Sequence, residues 1–355
     1  MNISIIGAGN GGQAMAGHFA LLGHRVTLYG RNLSKISIIA ETGRIHLTEA
    51  INGVGNLLRV TDDLETSLRE ADLVMVVTTA DAHRELAKQI APFVKDNQVI
   101  VLNPGRTLGV IDFSTALYQN TSKRVYVAEA QSLIYACRAE TPGNVRIIGI
   151  KDNVLLAAYP AIDTPYVCEL LNSMFDCFVP AANILVTGLE NIGAIFHPAV
   201  LMFNAAAIER GNLFYFYNDM TPAIAGFLEK LDQERLAIGK AFGIKLKSVS
   251  EWVSFAYTGI FGDTLCEKMQ NNPAYYKILA PSKLESRLIT EDVPTGILPM
   301  VELGKISGVP TPLLQSVLHI SEALLERDFN VDGRTLKNLY YDIDDLNVIK
   351  EKLQS

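Results

Sequence analysis

Three glycines near the N-terminus have the spacing of a loop that binds phosphate. Gly7, Gly9 and Gly12 form a G-x-G-x-x-G pattern between an apolar run at residues 3–6 and a helix-like segment at residues 13–22. The first glycine of such a loop permits a tight turn, the second lets the backbone approach a pyrophosphate, and the third lets the helix pack on the strand. The anion then lies at the helix N-terminus, where unpaired N–H groups favour it. The residues expected to bind a dinucleotide are Gly7, Gly9, Asn10, Gly11 and Gly12, with an ordinary glycine-rich turn as the alternative.

The end of the second strand candidate bears on which dinucleotide is bound. Chains that bind NAD usually carry an acidic residue there, which bonds to the ribose 2′-hydroxyl. Here the run at residues 25–29 is followed by Gly30 and Arg31. No carboxylate would therefore repel a 2′-phosphate, and Arg31 could pair with one. The pattern favours NADP over NAD and leaves use of both open, with a surface arginine beside a turn as the alternative.

Two further loops follow strand-like runs at residues 73–77 and 98–102. Ligands of open α/β sheets bind outside the carboxyl ends of the strands, so these loops are candidates to line the cofactor. Plain turns are the alternative, since Asn-Pro-Gly is itself a strong turn signal. The candidate residues are Thr78, Thr79, Ala80, Asn103 and Pro104.

A histidine in the second half of the chain is a candidate for proton transfer. His197 precedes Pro198 within an uncharged, helix-like stretch at residues 192–208. Proline kinks a helix, and a kink beside a histidine can direct the imidazole toward a substrate. The alternative is a core histidine, which is common on an apolar helix face.

Arg287 and Asp292 could contribute a cation and a carboxylate. Five residues apart, they would not share one helix face, but they could converge on a loop. The alternatives are a surface position for Arg287 and helix N-capping by Asp292 or Glu291. Residue types and spacing alone do not join this pair to His197.

Several stretches together resemble the octopine/opine dehydrogenase family, and most of all bacterial N-(1-carboxyethyl)-norvaline-type dehydrogenases. The Gly-Ala-Gly-Asn-Gly-Gly start and the helix-borne His-Pro pair are the most specific in combination, and the resemblance covers nearly the whole chain. The matching stretches are residues 7–12, 102–105, 137–138, 196–198 with 204–206, 232–235, 272–275, 291–293 with 296, and 309–312.

The resemblance implies roles for three residues and a reaction. His197 would be the catalytic histidine, Asp292 its carboxylate partner, and Arg287 the arginine that binds a substrate carboxylate. The implied reaction is the reductive condensation of an amino acid with a 2-oxo acid, pyruvate by default, through an imine that NAD(P)H reduces. Arg31 differs from family members that have an acid near the end of the second strand, which again favours NADP.

Two other functions remain open from the sequence. A simple ketone reductase of the ketopantoate or glycerol-3-phosphate dehydrogenase type would share a two-domain plan. Those families generally use a lysine followed by asparagine, where this chain has Glu190 and Asn191. A non-catalytic NAD(P) sensor is also compatible, because a fold does not determine function, although a sensor has no need of the His/Arg/Asp set.

The order of the elements predicts two domains. Through residue 185, strand-like and helix-like segments alternate, and near-continuous apolar strands indicate burial on both faces, as in parallel sheets. We therefore expect an α/β fold, with a Rossmann-type doubly wound parallel sheet at residues 1–185 that binds NAD(P). Residues 186–355 should form an all-α substrate and catalytic domain. Its helices include one at 227–242 and one at 312–327, with Thr311 as N-cap and Pro312 at the first helical position.

Composition restricts the partners and the compartment. The chain has 355 residues, 49% of them hydrophobic and 19% charged, and a net charge of −7. No basic run suits a nucleic-acid backbone, and four cysteines without zinc spacing predict free thiols and no metal site. We therefore expect a cytoplasmic protein that binds small molecules, without a signal peptide or nucleic-acid partner.

The apolar excess has two further interpretations at the sequence level. The uncharged stretch at residues 192–208 is short for a membrane span and contains His197, Pro198 and Asn204, so we expect a buried helix and no membrane partner. A homodimer formed through the second domain would account for further apolar surface.

Overall fold

Two compact units make up the described chain. The computed structural model describes residues 1–257, 259–339, 348 and 351–353. Residues 1–105 and 109–184 form the first unit, and residues 106–108 belong with the chain from residue 185 onward. Residues 106–108 lie inside the predicted first domain of residues 1–185. They group with the second unit because the Thr107 N–H donates to the Thr295 carbonyl at 3.1 Å and its hydroxyl donates to the Gly188 carbonyl at 2.7 Å.

The first unit is built on an eight-stranded sheet in the order β12-β11-β8-β7-β6-β1-β2-β5. Its central strands β1, β6 and β7 pair in parallel and are buried along almost their whole length, as the apolar runs predict. Within this mostly parallel sheet, β11 runs antiparallel to β8. The strands are β1 (Asn2–Ile6), β2 (Arg25–Tyr29), β3 (Arg44–Glu49), β4 (Gly53–Asn56), β5 (Arg59–Thr61), β6 (Leu73–Val76), β7 (Gln98–Leu102), β8 (Val125–Ala130), β9 (Tyr135–Thr141), β10 (Asn144–Ile150), β11 (Val154–Tyr159) and β12 (Phe178–Pro180).

A second sheet of four strands, in the order β4-β3-β10-β9, was not predicted. Its strands are partly exposed, so they lack the continuous apolar runs that mark the central strands. Close packing brings this sheet against the first helix. A Cβ on Gly17 would lie 2.8 Å from the Ile45 side chain, and one on Gly55 would lie 2.2 Å from the Gly17 carbonyl oxygen. These contacts fix the helix that follows the glycine-rich loop.

Helices separate many of the strands of the first unit, but β3 to β5 and β8 to β11 follow one another without a helix. The predicted segment at residues 13–22 corresponds to α1, which begins earlier, at Asn10. Helix α4 follows the strand predicted at residues 73–77, with a short 3-10 turn between them. The helices are α1 (Asn10–Leu21), α2 (Ser37–Thr42), α3 (Leu64–Leu68), α4 (His83–Ile90), α5 (Gly109–Tyr118) and α6 (Thr164–Asn172).

The described part of the second unit is helical, with one isolated bridge between Tyr215 and Leu279. A π-helical turn at Val293–Ile297 joins two of its helices. One stretch, Ile184–Phe203, is long and apolar enough to cross a membrane, but 83% of it is buried within the protein, as in a core helix. The helices are α7 (Ile184–Leu189), α8 (Ile192–Phe203), α9 (Ala205–Glu209), α10 (Pro222–Ala241), α11 (Val249–Ala256), α12 (Leu265–Gln270), α13 (Arg287–Thr290), α14 (Leu298–Ser307) and α15 (Pro312–Leu325).

The helices of the second unit differ from the sequence predictions in three details. The helix predicted at residues 227–242 begins earlier, at Pro222. The single helix expected at residues 192–208 is divided at Asn204, whose side-chain amide donates to the Val200 carbonyl at 2.9 Å and competes with the backbone ladder. At α15, Thr311 is the N-cap residue, but its side chain makes no capping bond. The carboxylate of Glu234 instead accepts the N–H groups of Leu313 and Leu314 at 2.8 and 2.9 Å.

Candidate active site

The turn between β1 and α1 is shaped so that only glycine fits at two positions. Gly7 has a φ of +115°, and a Cβ there would lie 2.7 Å from the Val77 carbonyl oxygen. A Cβ on Gly12 would lie 1.6 Å from the Gly7 carbonyl oxygen. Any larger residue at position 12 would therefore prevent the helix from beginning so close to the strand. The tight turn and the close helix–strand approach required by the glycine pattern are therefore both present.

The N-terminus of α1 is open to an anion. Gly9 is its N-cap residue, and no heavy atom lies within 4 Å of the position of a Cβ there. No acidic side chain occupies the first turn and no side chain caps it, so the helix dipole and N–H groups favour a phosphate. Asn10 is turned away, since its Oδ1 accepts the Ala139 N–H at 3.1 Å. At Gly11 a Cβ would approach the Leu133 side chain to 2.8 Å. These residues fit a dinucleotide pyrophosphate.

The end of β2 explains why no acid follows this strand. A Cβ on Gly30 would lie 3.1 Å from both the Ala8 Cβ and the Ile36 Cδ1, so a larger side chain would crowd the turn. Arg31 is exposed. Acids nevertheless occur at this edge, because β5 pairs with β2 in the register Tyr29 to Thr61 and Asp62 follows. Burial raises the pKa of Tyr29, and while Arg31 opposes this rise, Asp62 reinforces it, so both charges lie near that ring.

The two other predicted cofactor loops differ in the solvent exposure of their side chains. Thr79 is exposed and precedes a 3-10 turn at Ala80–Ala82, whereas the Thr78 hydroxyl is buried without a hydrogen-bond partner. The Asn103 side chain is buried, and its amide donates to the Val101 carbonyl at 3.1 Å. The bond from Asn103 to Pro104 is cis. The Asn103 side chain therefore stabilises the loop. Its Oδ1, like the Thr78 hydroxyl, has no hydrogen-bond partner among the described residues.

In the second unit, His197 and Asp292 are brought into direct contact. The His197 Nδ1 lies 2.7 Å from the Asp292 Oδ2. His197 is on α8, and Asp292 immediately precedes the π-helical turn, where it is the N-cap residue but makes no side-chain capping bond. The two elements approach closely because Gly296 faces α8. A Cβ on Gly296 would lie 2.4 Å from the Ala194 Cβ.

Arg106 is the cation that lies beside the carboxylate of this pair, and it was not predicted from the sequence. Its Nη2 lies 3.3 Å from the Asp292 Oδ1, its Nε lies 3.5 Å from a Glu291 carboxylate oxygen, and its Nη1 donates to the Asn191 Oδ1 at 3.0 Å. Gly193 leaves room for it, since a Cβ there would lie 2.9 Å from Nη1. Arg106 itself has a φ of +67°, an unfavourable conformation for a residue with a side chain.

The electrostatics of the cluster keep Asp292 ionised. Burial alone would raise the pKa of Asp292, but Arg106 and His197 outweigh it, so the pKa lies below its usual range. Burial would likewise lower the pKa of Arg106, and Asp292 with Glu291 raises it above its ordinary value. A fixed carboxylate beside Nδ1 selects the tautomer in which Nδ1 carries the proton and Nε2 is the reacting nitrogen.

Arg287 lies at the edge of the same cluster. Its Nη1 is 3.7 Å from Glu291, and its side chain is 67% exposed. Arg287 and Glu291 are four residues apart at α13, which places them on one helix face, whereas Asp292 follows on the next turn. The structure thus brings His197, Asp292 and Arg287 into one unit, with Arg287 as the outer cation.

Tyr217 is the second residue that the sequence reasoning missed. Its hydroxyl lies 3.3 Å from the His197 Nε2, on the segment between α9 and α10. Neither Tyr217 nor Arg106 belongs to a recognisable motif, because each reaches the site from a connecting segment. The available signal for Arg106 was its position two residues after Asn103–Pro104, in a stretch already singled out as a candidate loop.

The position where ketone reductases were expected to carry lysine serves another purpose. Glu190 is buried, and its carboxylate accepts the Lys247 N–H at 3.1 Å. Asn191 supports Arg106, as described above, and its amide lies 3.4 Å from the Thr107 hydroxyl. The residue pair at 190 and 191 therefore supplies no catalytic cation.

Comparison with known proteins identifies both units. A family model described as NAD/NADP octopine/nopaline dehydrogenase, alpha-helical domain, matches residues 180–325. Another, described as NAD-dependent glycerol-3-phosphate dehydrogenase N-terminus, matches residues 2–123. The chain is 36% identical over 339 residues to the opine dehydrogenase of Arthrobacter sp. (strain 1C), and the alignment covers 95% of this chain and 94% of that protein.

Solved structures share the fold. An octopine dehydrogenase in complex with NADH and agmatine superposes with a TM-score of 0.80 at 19% identity, over 98% of this chain and 97% of that one. Yersinopine dehydrogenase with NADP+ bound gives a TM-score of 0.72 at 15% identity, over 99% and 98% of the two chains. The predicted fold class, a Rossmann-type unit followed by a helical unit, is confirmed.

Proposed function

Because this chain belongs to the opine dehydrogenase family, we propose that His197 carries the proton transfers of its reaction and that Asp292 and Arg106 supply the charges that support it. The activity is an NAD(P)-dependent reductive condensation of an amino acid with a 2-oxo acid. The observation that supports the assignment is the 2.7 Å contact between His197 and a buried carboxylate that an arginine holds ionised. Pyruvate is the proposed 2-oxo acid.

The proposed proton cycle of His197 is closed. Nε2 takes a proton from the substrate ammonium group, so that the free amine can add to the carbonyl carbon. In the adduct a second proton passes from the nitrogen to the alkoxide oxygen and forms a hydroxyl. Nε2 then returns the first proton to this hydroxyl, which leaves as water, and an iminium ion remains. Asp292 stabilises the imidazolium that exists between these two steps, as the aspartate of a catalytic triad does. Histidine suits the task because it ordinarily exchanges protons near neutral pH.

The proposed role of Arg287 is to bind a substrate carboxylate. Its guanidinium is exposed, and its contact with Glu291 is long at 3.7 Å. It can therefore offer most of its donors to a ligand, ideally as a bidentate pair. Holding both substrates beside His197 supplies the orientation on which a two-substrate condensation depends.

NADP is the proposed cofactor, with NAD as the alternative. When bound, the cofactor supplies the hydride that reduces the iminium ion to a secondary amine. The G-x-G-x-x-G loop with Gly9 and α1 would hold the pyrophosphate, with Thr79 and Pro104 on neighbouring loops. Arg31 is the cation proposed to pair with the 2′-phosphate. A related yersinopine dehydrogenase has been solved with NADP+ and an octopine dehydrogenase with NADH.

We also propose a cytoplasmic homodimer that forms through the helical unit. Support for a reducing compartment comes from the four cysteines, none of which is joined in a disulfide. Support for association comes from exposed apolar side chains on the helical unit, such as Leu213 and Phe261. Both proposals stand apart from the catalytic assignment.

The activity is tested by following NADPH and NADH oxidation with a 2-oxo acid alone and then with amino acids added. We expect oxidation only when both substrates are present, because hydride transfer requires the iminium ion. Oxidation with the 2-oxo acid alone would instead indicate a ketone reductase. Cofactor binding without oxidation across a broad substrate panel would indicate a sensor.

A further inference from the structure

The reacting nitrogen of His197 faces a phenol. Asp292 occupies Nδ1 at 2.7 Å, and the Tyr217 hydroxyl lies 3.3 Å from Nε2. A substrate atom that exchanges a proton with Nε2 must therefore either displace this hydroxyl or exchange the proton through it.

Aromatic packing holds the Tyr217 ring in place. The ring stacks on Tyr275 with centroids 4.0 Å apart and planes 14° apart, and Phe216 packs against it at 4.7 Å. Tyr257 packs on the edge of Tyr275 at 5.2 Å and extends the cluster. Displacement of the hydroxyl would disrupt this stack, whereas proton exchange through it requires no movement of the ring.

The surroundings of Tyr217 keep its hydroxyl protonated. Burial raises the pKa of Tyr217, and Tyr257 and Asp292 raise it further. Arg287 and Arg106 oppose that rise but do not cancel it. The phenol therefore has a proton to donate at any working pH, and its oxygen can accept one at the same moment.

From this geometry we propose that Tyr217 is a catalytic residue that relays the proton between the His197 Nε2 and the substrate. The inference rests on the function proposed for His197. In the first step the substrate ammonium gives a proton to the Tyr217 oxygen while the phenolic proton moves to Nε2. In the second step Nε2 returns a proton to the Tyr217 oxygen while the phenolic proton moves to the departing hydroxyl. The phenol is neutral before and after each step, and no other reactant is needed.

Removal of one hydroxyl tests the relay. Tyr217→Phe keeps the stacked ring, and we expect kcat to fall by about 10²-fold or more, the usual range for loss of a group in acid–base transfer. The KM for the 2-oxo acid should change far less than kcat, because the binding residues remain. Tyr215→Phe is the matched control, since it removes a hydroxyl from the same segment without a contact to His197, and it should keep kcat within about threefold.

A fluorotyrosine incorporated at position 217 separates the relay from a structural role. Fluorination keeps the ring and the hydroxyl but makes the phenol more acidic, so kcat should change with the acidity of the phenol across a series of fluorotyrosines, measured at a pH where each phenol stays protonated. A kcat that does not vary across the series, or a Tyr217→Phe enzyme with kcat close to that of the wild type, would overturn the relay. The proposed function would fail differently, because the wild-type enzyme itself would then not oxidise the cofactor with both substrates present.

Discussion

Asp292 is the residue on which the charges of the site converge. One of its oxygens lies beside the His197 Nδ1 and the other beside Arg106, and the carboxylate is almost completely buried. Burying a carboxylate is costly unless it is paired. Arg106 therefore stabilises the buried Asp292 carboxylate, and that carboxylate in turn stabilises the imidazolium form of His197. His197 and Asp292 could be identified from the sequence only through the family resemblance, because 95 residues separate them.

Replacement of the carboxylate by an amide tests this convergence. In Asp292→Asn the side-chain shape is kept, but the charge and the fixed tautomer of His197 are lost. We expect kcat to fall by about 10²–10⁴-fold while cofactor affinity is nearly unchanged. Steady-state kinetics and cofactor titration provide the two measurements.

Glu291→Gln is the control for that variant. It also removes a negative charge beside Arg106, but it leaves the contact between His197 and residue 292 intact. Its kcat should fall much less than that of Asp292→Asn, because the carboxylate that orients His197 is kept. Equal losses of kcat in the two variants would show that kcat depends on the negative charge beside Arg106 and not on the carboxylate that contacts His197.

At the scale of the elements, the stretch at residues 232–235 holds the helices of the second unit together. Arg235 is fully buried, donates to the carbonyls of Leu189 and Lys247, and pairs with Asp232 at 2.6 Å. The other Asp232 oxygen accepts the Val249 N–H at 2.8 Å, where α11 begins. This network connects α10 with the end of α7, next to the helix that carries His197, which gives a structural reason for the match of this stretch to the family.

Glu234 on α10 provides the cap that Thr311 was expected to provide. Replacement of Glu234 by Ala should lower the free energy of unfolding of the helical unit by about 1–2 kcal/mol, because two N–H groups of α15 lose their acceptor. Denaturation followed by tryptophan fluorescence measures this, since the only tryptophan, Trp252, lies in α11.

Glu229→Ala is the matched control on the same helix. Glu229 is exposed, and its replacement should change stability by less than about 0.5 kcal/mol. If the two variants unfold at the same denaturant concentration, the carboxylate of Glu234 does not stabilise α15.

How far the elements could be predicted depends on how strongly burial marks them. The strands β1, β6 and β7 were predicted because they are buried on both faces and therefore apolar throughout. The four-stranded sheet was missed because its strands are partly exposed and therefore not apolar throughout. Arg106 was missed because residues 106–108 leave the first unit for the second, a crossing that no local pattern signals.

For the whole molecule, the low charge and high apolar content now have a structural location. The central strands are apolar on both faces, and the stretch from residue 184 to residue 203 is mostly buried. The net charge of −7 opposes anionic ligands, so local cations must compensate for it. Arg287 and Arg31 are the exposed cations that we assign to the substrate carboxylate and the cofactor.

Charge reversal at Arg31 tests the cofactor assignment. Arg31→Asp should reduce the ratio of kcat/KM for NADPH to that for NADH by about tenfold or more, because a charge-assisted bond to the 2′-phosphate is replaced by repulsion. Arg25→Asp makes the same charge change at the other end of β2 and should leave the ratio unchanged. If Arg31→Asp also leaves it unchanged, the 2′-phosphate is not bound by Arg31.

The central claim is that this site joins an amine to a 2-oxo acid, and the product tests it most directly. A ¹⁵N-labelled amino acid, pyruvate and reduced cofactor are incubated with the wild-type chain and with His197→Ala, and the products are separated by mass. The account predicts one new secondary amine that contains ¹⁵N and both carbon skeletons, formed by the wild type and not by His197→Ala. A 2-hydroxy acid as the only product, with all of the ¹⁵N still in the free amino acid, would contradict it.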